Sequence, residues 1–236
     1  MLDRRQLLAS TAATAAAFTL PKIAFAAAAN PTAAKLDGLM DTFFQENLRE
    51  SPEQATILGL DKGANADLKG KLSDESAAGI AAHKALNESQ LARLKALDAN
   101  ALSGMDRVNY DTLVYVGESR ARVAAFDFGG SAFGPSPYAV SQLTGVYQQV
   151  PDFLDTKHRI ENAADADAYI SRLEAFAAQI DNNTERMKHD KGMDIQPPDF
   201  ILDLALAQLG ALRVDPDKSL LVTSIARRAK EKGLPD

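Results

Sequence analysis

Apolar positions recur at intervals of three and four along most of the chain, which is the spacing of helices that bury one face. The first stripe is Leu36, Leu39, Met40, Phe43, Phe44 and Leu48, behind Asn30 and Pro31. Asn is a good side-chain cap, and proline fits the first helical position. Ser51-Pro52-Glu53-Gln54 reads as a capping box that restarts a helix, with Gly59 placed to end it. Residues 60–72 read as a polar loop. Ser73, with Asp74 and Glu75 in the first turn, opens a longer helix carrying Ile80, Leu86, Leu91, Leu94 and Leu97. Another starts near 103–106 and carries Tyr110, Leu113, Val114 and Ala121 to about Ala125.

Further on, 165–191 places Tyr169, Leu173, Phe176, Ile180 and Met187 on one face, with Gly192 as the residue past its end. Pro197-Pro198 starts a helix with Phe200, Ile201, Leu204, Gln208 and Leu212. Asp215-Pro216 starts the last, with Leu220, Leu221 and Ile225, a basic final turn of Arg227, Arg228 and Lys230, and Gly233 beyond it. No fixed-period repeat is visible. The fold class is all-α: a multi-helix array of antiparallel helices joined by one long irregular Gly/Pro-rich connection.

That connection is the 25-residue stretch from Gly129 to Phe153, where Gly129, Gly130, Gly134, Pro135, Pro137, Gly145 and Pro151 forbid any long helix. Two readings stand for it. It lines a site, or it is a packed connection with Tyr138, Leu143, Val146 and Phe153 plugging the core.

Composition narrows the function. The chain has 236 residues, 46% of them hydrophobic and 25% charged, which suffices for a real core. A net charge of −6 speaks against nucleic acid, whose phosphates need a basic face. Beyond the N-terminus no stretch is apolar enough for a permanent membrane span. The N-terminus itself has export grammar: Arg4 and Arg5, a soft Ala/Thr/Leu stretch, then small Ala24 and Ala26 around Phe25. The expected division is a cleavable signal peptide over 1–26 and a helical domain over 27–236. Adjacent arginines followed by Gln6, Leu7 and Leu8 look like a twin-arginine signal, although Asp3, Leu7 and Ala9 depart from its preferred residues and a general secretory signal is the alternative. Either route predicts a periplasmic or secreted protein, the first with the twin-arginine translocase as a transient partner. Loss of 1–26, which carries Arg4, Arg5 and Lys22 against Asp3, takes the net charge from −6 to −8. With no cysteine there is no disulfide, lipid-attachment thiol or thiolate metal site.

Catalytic chemistry needs convergent groups, and few present themselves. His83, His158 and His189 each stand among polar neighbours, without the second His and the Glu of a zinc-binding helix. They read as solvated or capping side chains. Asp165 and Asp167 lack the oxygen ligands and glycine of a calcium loop and read as acids against a helix dipole. Asp61, Asn65 and Asp67 lack the closing Glu. No metal ligand and no catalytic residue is assigned, and no cofactor is expected within this chain.

The stretch FFQENLRESPEQATILGLDKG resembles the opening of the bacterial family called domain of unknown function 885. Ser51, Pro52, Glu53, Ala55, Thr56 and Gly59 match that family's Ser/Thr-Pro-Glu-x-Ala-Thr-x-x-Gly block. LSDES at 72–76, LSGMDRVNYDTLVY at 102–115, AYISRLEAF at 168–176 and Gly192 ahead of Pro197-Pro198 are similar to its other landmarks. The resemblance implies an exported relative of gluzincin-type zinc metallopeptidases. Their His-Glu-x-x-His helix lies in a C-terminal half for which this chain has no matching positions, so zinc is implied for that half only. Gln142, Gly145 and Tyr147 are then candidate substrate-facing residues over the cleft, where extended backbone can pair with a peptide. Two functions arise as expectations. One is the N-terminal helical portion of a zinc-peptidase-like hydrolase, inactive alone, with a peptide or small-molecule substrate in the full-length form. The other is a free-standing periplasmic binding or interaction module.

Overall fold

The computed structural model describes residues 30–130 and 136–234. Arg4, Arg5, Ala24 and Ala26 of the leader, and Gly134 and Pro135 of the irregular stretch, lie outside the described residues. The described chain is all-α, with eight α-helices, three 3-10 turns and no strand. In order come α1 (Pro31–Glu50), α2 (Pro52–Ile57), a 3-10 turn (Gly63–Gly70), α3 (Ala77–Lys95), a second (Ala99–Ala101) and α4 (Gly104–Ala124). After them come α5 (Val146–Thr156), α6 (Ala163–Gly192), α7 (Asp199–Leu212), a third 3-10 turn (Pro216–Lys218) and α8 (Leu220–Glu231). Among the described residues no helix is long and apolar enough to cross a membrane.

Two cores divide the work. The stripe on α1 meets α3 and α4, burying Leu36, Phe43, Leu94, Leu102 and Tyr110. Each such side chain contributes roughly 1.5–3 kcal/mol relative to exposure. The second core joins α5, α6 and α8 through Val146, Val150, Phe153, Leu154, Ile160 and Tyr169, with Leu221 and Ile225 packed against them. A smaller cluster of Leu48, Ala55 and Leu68 sits between α1, α2 and the first 3-10 turn. α7 contributes a single buried residue, Ala205.

The start of α1 is as the sequence indicates: Asn30 Oδ1 accepts from the Thr32 and Ala33 N–H groups at 3.0 and 3.3 Å, and Pro31 is the first helical residue. Five local expectations are corrected. Ser51 makes no side-chain cap, because Glu53 of the supposed capping box turns inward, accepting from Ser73 N at 2.9 Å and Ser73 Oγ at 2.6 Å. Ser73, held there, does not open α3; Ser76 caps it instead, accepting from Gly79 N at 3.1 Å. The polar loop over 60–72 is largely a 3-10 turn, because Leu68 needs burial. Gly192 lies within α6, and the left-handed residue beyond is Asp194, φ 62°. The last correction concerns the irregular stretch, whose second part is helical: α5 tolerates Pro151 in its interior while burying one whole face.

Candidate functional site

α6 organises the molecule through polar side chains. Asp165, Arg172, Gln179, Asn183 and Asp190 are all buried on it. Seven residues are two helical turns, so Asp165, Arg172 and Gln179 share one face, as do Asn183 and Asp190 with Tyr169. Each binds backbone from a non-helical connection or a helix end. Gln179 Nε2 donates to Ser73 O at 2.7 Å, Asn183 Oδ1 accepts from Val146 N at 3.2 Å, and Asp190 Oδ2 accepts from Gly129 N at 2.9 Å. Arg186 Nε donates to Gly129 O at 3.2 Å.

Arg172, at 0% exposure, is the centre of this seam. Nε donates to Lys71 O at 2.8 Å, and Nη2 to Thr56 Oγ1 at 2.7 Å and Leu68 O at 3.1 Å. Nη1 lies 2.8 Å from His158 Nδ1, and the guanidinium stacks 4.8 Å from the Phe153 ring centroid. A guanidinium has no acceptor, so Nδ1 must accept and the imidazole proton must sit on Nε2. Nε2 duly lies 2.9 Å from Asp165 O. His158 is therefore a neutral buried relay. Burial pulls its pKa down to about 4, with Arg172, Arg228 and Lys69 adding to the fall. Its expected solvated setting is thus corrected. A tightly packed arginine environment, with the Tyr169 ring edge-on at 5.5 Å, took the place of water.

Burial likewise brings the Arg172 guanidinium down to about 10, opposed by Glu53 and Asp61. Among the described residues no carboxylate bonds to it; Thr56 Oγ1 donates onward to Asp61 Oδ2 at 2.9 Å. At the head of α6, burial pushes the Asp165 carboxyl up. The bond from Lys69 Nζ and the Glu161 N–H more than offset that, leaving it below the usual range. Burial pushes the Tyr169 hydroxyl up to about 12, and it donates to Leu221 O at 2.7 Å. Arg172, His158, Asp165 and Tyr169 are thus each bonded to other groups of the protein, while Gln179 Oε1, on the same helix, is buried with no protein partner.

The irregular stretch holds the named candidates. Gly145 caps α5 with φ 127°, and a Cβ there would press on the Tyr147 ring. Tyr147 is only 2% exposed; its hydroxyl lies 2.8 Å from Ser141 O and 2.7 Å from Gln208 Oε1 of α7. Burial raises its pKa. The Gln142 carbonyl accepts from Gln148 Nε2 at 2.8 Å, while Gln142 Oε1 is buried with no protein partner. Of the four residues expected to plug the core, Val146 and Phe153 do so, Tyr138 is half-buried, and Leu143 is 76% exposed.

The same stretch does line a cleft, but with Tyr138, Ala139 and Val140. Opposite them stand the last turns of α6, the 195–197 segment and Leu202 of α7, enclosing about 220 Å³. His83 and His189 are exposed, the latter 3.4 Å from Asp127 and 3.2 Å from Asp190. Among the described residues no group of three His, Cys, Asp or Glu side chains is placed to hold a metal ion, so these residues do not fit a zinc site.

A helical body pinned by a buried arginine and bearing a small cleft defines an all-α protein. Residues 52–234 match the family model described as bacterial protein of unknown function (DUF885), and the chain belongs to that family. No curated protein and no solved structure gives a significant match. Two of the landmarks meet in the hub: Glu53 and Thr56 from the Ser-Pro-Glu block, Tyr169 and Arg172 from AYISRLEAF. Sequence reasoning passes over the arginine because it stands beside an apolar stripe, where a charge reads as flanking solvent. Its place three residues after Tyr169, on the buried side, is the available signal.

Proposed function

We propose that this chain is the N-terminal helical portion of an exported zinc-peptidase-like hydrolase, shaping a cleft while further polypeptide supplies the metal and the chemistry. The observation that supports this reading best is α7. It is apolar around most of its circumference, yet Phe200, Leu204, Leu206 and Leu212 stand exposed beside a folded body. An exposed apolar helix of this kind is a docking surface by default. Family membership supports the frame, and the leader pattern supports export to the periplasm or beyond, through the twin-arginine translocase. Alone, the chain is inactive.

The test reads the coding DNA past the Asp236 codon and compares the purified chain with a longer protein that includes the polypeptide encoded there. The reading expects a His-Glu-x-x-His frame downstream, stoichiometric zinc and peptide turnover only in the longer protein, and loss of dye binding to α7 on extension. Zinc-dependent hydrolysis by residues 27–236 alone, abolished by one substitution within them, would sink it. The cleft favours a second reading, a free-standing periplasmic binding module. That reading expects a soluble, cooperatively melting chain that binds no hydrophobic dye.

A further inference from the structure

The cleft between the irregular stretch and the end of α6 combines two features. Its walls are mostly apolar, including Ala139, Val140, Met187, Ile195 and Leu202, and its lining also includes Lys188 and Lys191, three residues apart on α6. Side chains three apart on a helix are neighbours, so two lysines stand together on one wall of an apolar hollow. Asp190, the one acid in the lining, is already engaged by the Gly129 N–H, by Arg186 at 3.4 Å and by His189. Lys188 Nζ holds Glu185 at 2.7 Å with both side chains well exposed, a pairing worth little in water. Lys191 makes no ion pair among the described residues.

We propose that this cleft binds a small apolar group headed by a carboxylate, an aryl or branched-alkyl acid. The hydrocarbon lies against Ala139, Met187 and Leu202, and the carboxylate meets Lys188 and Lys191. The size agrees: a cavity of roughly 150 Å³ takes a benzene ring, and this one offers about 220 Å³. A concave apolar surface with a few convergent polar groups is the usual form of a small-ligand site. The inference stands apart from the hydrolase reading, because it needs no metal and no further polypeptide. The chemistry has two natural sources, the apolar C-terminal residue of a peptide and a free organic acid.

Calorimetric titration of the purified chain separates the outcomes, with 3-phenylpropanoate, its neutral amide and acetyl-Gly-Phe bearing a free C-terminus as probes. The proposal expects saturable binding of 3-phenylpropanoate at about 1 mM or tighter, and weaker binding of the amide. Lys188→Gln combined with Lys191→Gln, both at exposed positions, is expected to weaken the acid by about fivefold and leave the amide unchanged. Ala139→Leu fills the floor and is expected to remove both ligands, with a thermal melt reporting whether it folds. Tighter binding of acetyl-Gly-Phe than of 3-phenylpropanoate assigns a peptide terminus; the reverse order assigns a free acid. Equal affinity for acid and amide, indifference to the lysine pair, or no saturation by about 10 mM overturns the proposal, whatever Ala139→Leu does.

Discussion

α6 and α7 invert the usual arrangement of polar and apolar residues. α6 buries Asp165, Arg172, Gln179, Asn183 and Asp190, whereas α7 buries only Ala205 and leaves Phe200 and Leu206 about two-thirds exposed. The difference lies in partners. Each polar residue on α6 meets a backbone group that a connection or helix end would otherwise leave unpaired, and buried polar groups persist where they are so matched. The apolar residues on α7 meet little, and the helix is tied to the body through Gln208, which accepts from Gln148 Nε2 at 2.6 Å. Position in this fold is set by polar pairing along α6; what is left uncovered is apolar surface on α7.

The largest test of that contrast is Arg172→Met, which keeps volume and removes every donor. It strands the Lys71 carbonyl and the His158 Nδ1 lone pair at once, and takes one of the bonds from the Leu68 carbonyl and from Thr56 Oγ1. Each buried acceptor left unsatisfied costs about 1–3 kcal/mol, so thermal melts by circular dichroism should show a loss of cooperative unfolding or a large drop in Tm. A shift of only a few degrees would mean that the seam is incidental.

Acid should act on the same seam. His158 is neutral in the fold with a pKa of about 4, while the unfolded chain takes up the proton near 6.5. The unfolded state therefore gains protons first as pH falls. Stability is full above about 6.5 and declines as pH drops toward about 4, by about 3 kcal/mol in total. Urea midpoints across that window measure it. His158→Gln should flatten the slope, and an unchanged slope would assign it to other groups.

Next in size is the anchoring of the irregular stretch. Gly129 has φ 61°, gives its N–H to Asp190, and would drive an added Cβ into the Ser136 carbonyl and Pro137. Gly129→Ala should cost about 2 kcal/mol from strain and collision together. Gly130→Ala, at φ 82° with open space around it, should cost only about 1 kcal/mol. Equal melting points for the two would remove collision as the distinction.

Much of this architecture is legible in the residues. The three-and-four stripes mark α1, α4 and α6 because each buries one face, α1 and α4 in a shared core and α6 in the other, and Asn30-Pro31 marks the start of α1 by local chemistry alone. The failures share a cause. Glu53, Ser73, His158 and Arg172 are polar, and a polar residue in isolation reads as exposed; each owes its burial to a partner 14 to 120 positions away. α5 is hidden by Pro151 and Gly145, which argue against helix locally but are overruled by the packing of Val146, Val150, Phe153 and Leu154. The cleft does fall in the stretch that the glycines and prolines single out, yet its lining is Tyr138, Ala139 and Val140, since tertiary packing turns Tyr147 toward Gln208.

The smallest expected effect is the one that isolates α7. Phe200→Gln with Leu206→Gln replaces two exposed apolar side chains by a good helix former. If the face is uncovered in this chain, nothing folded is lost, and the urea midpoint should move by no more than about 0.5 kcal/mol. Dye binding should fall and solubility should rise, because the removed surface is the kind that drives association. The informative result is the separation of those two readouts. A stability loss comparable to that of Arg172→Met would show α7 packed within the chain after all, and the contrast between the helices would reduce to one of degree. Constant stability with unchanged dye binding would place the sticky surface elsewhere, on Met105, Val108 and Tyr115 of α4, which are also exposed.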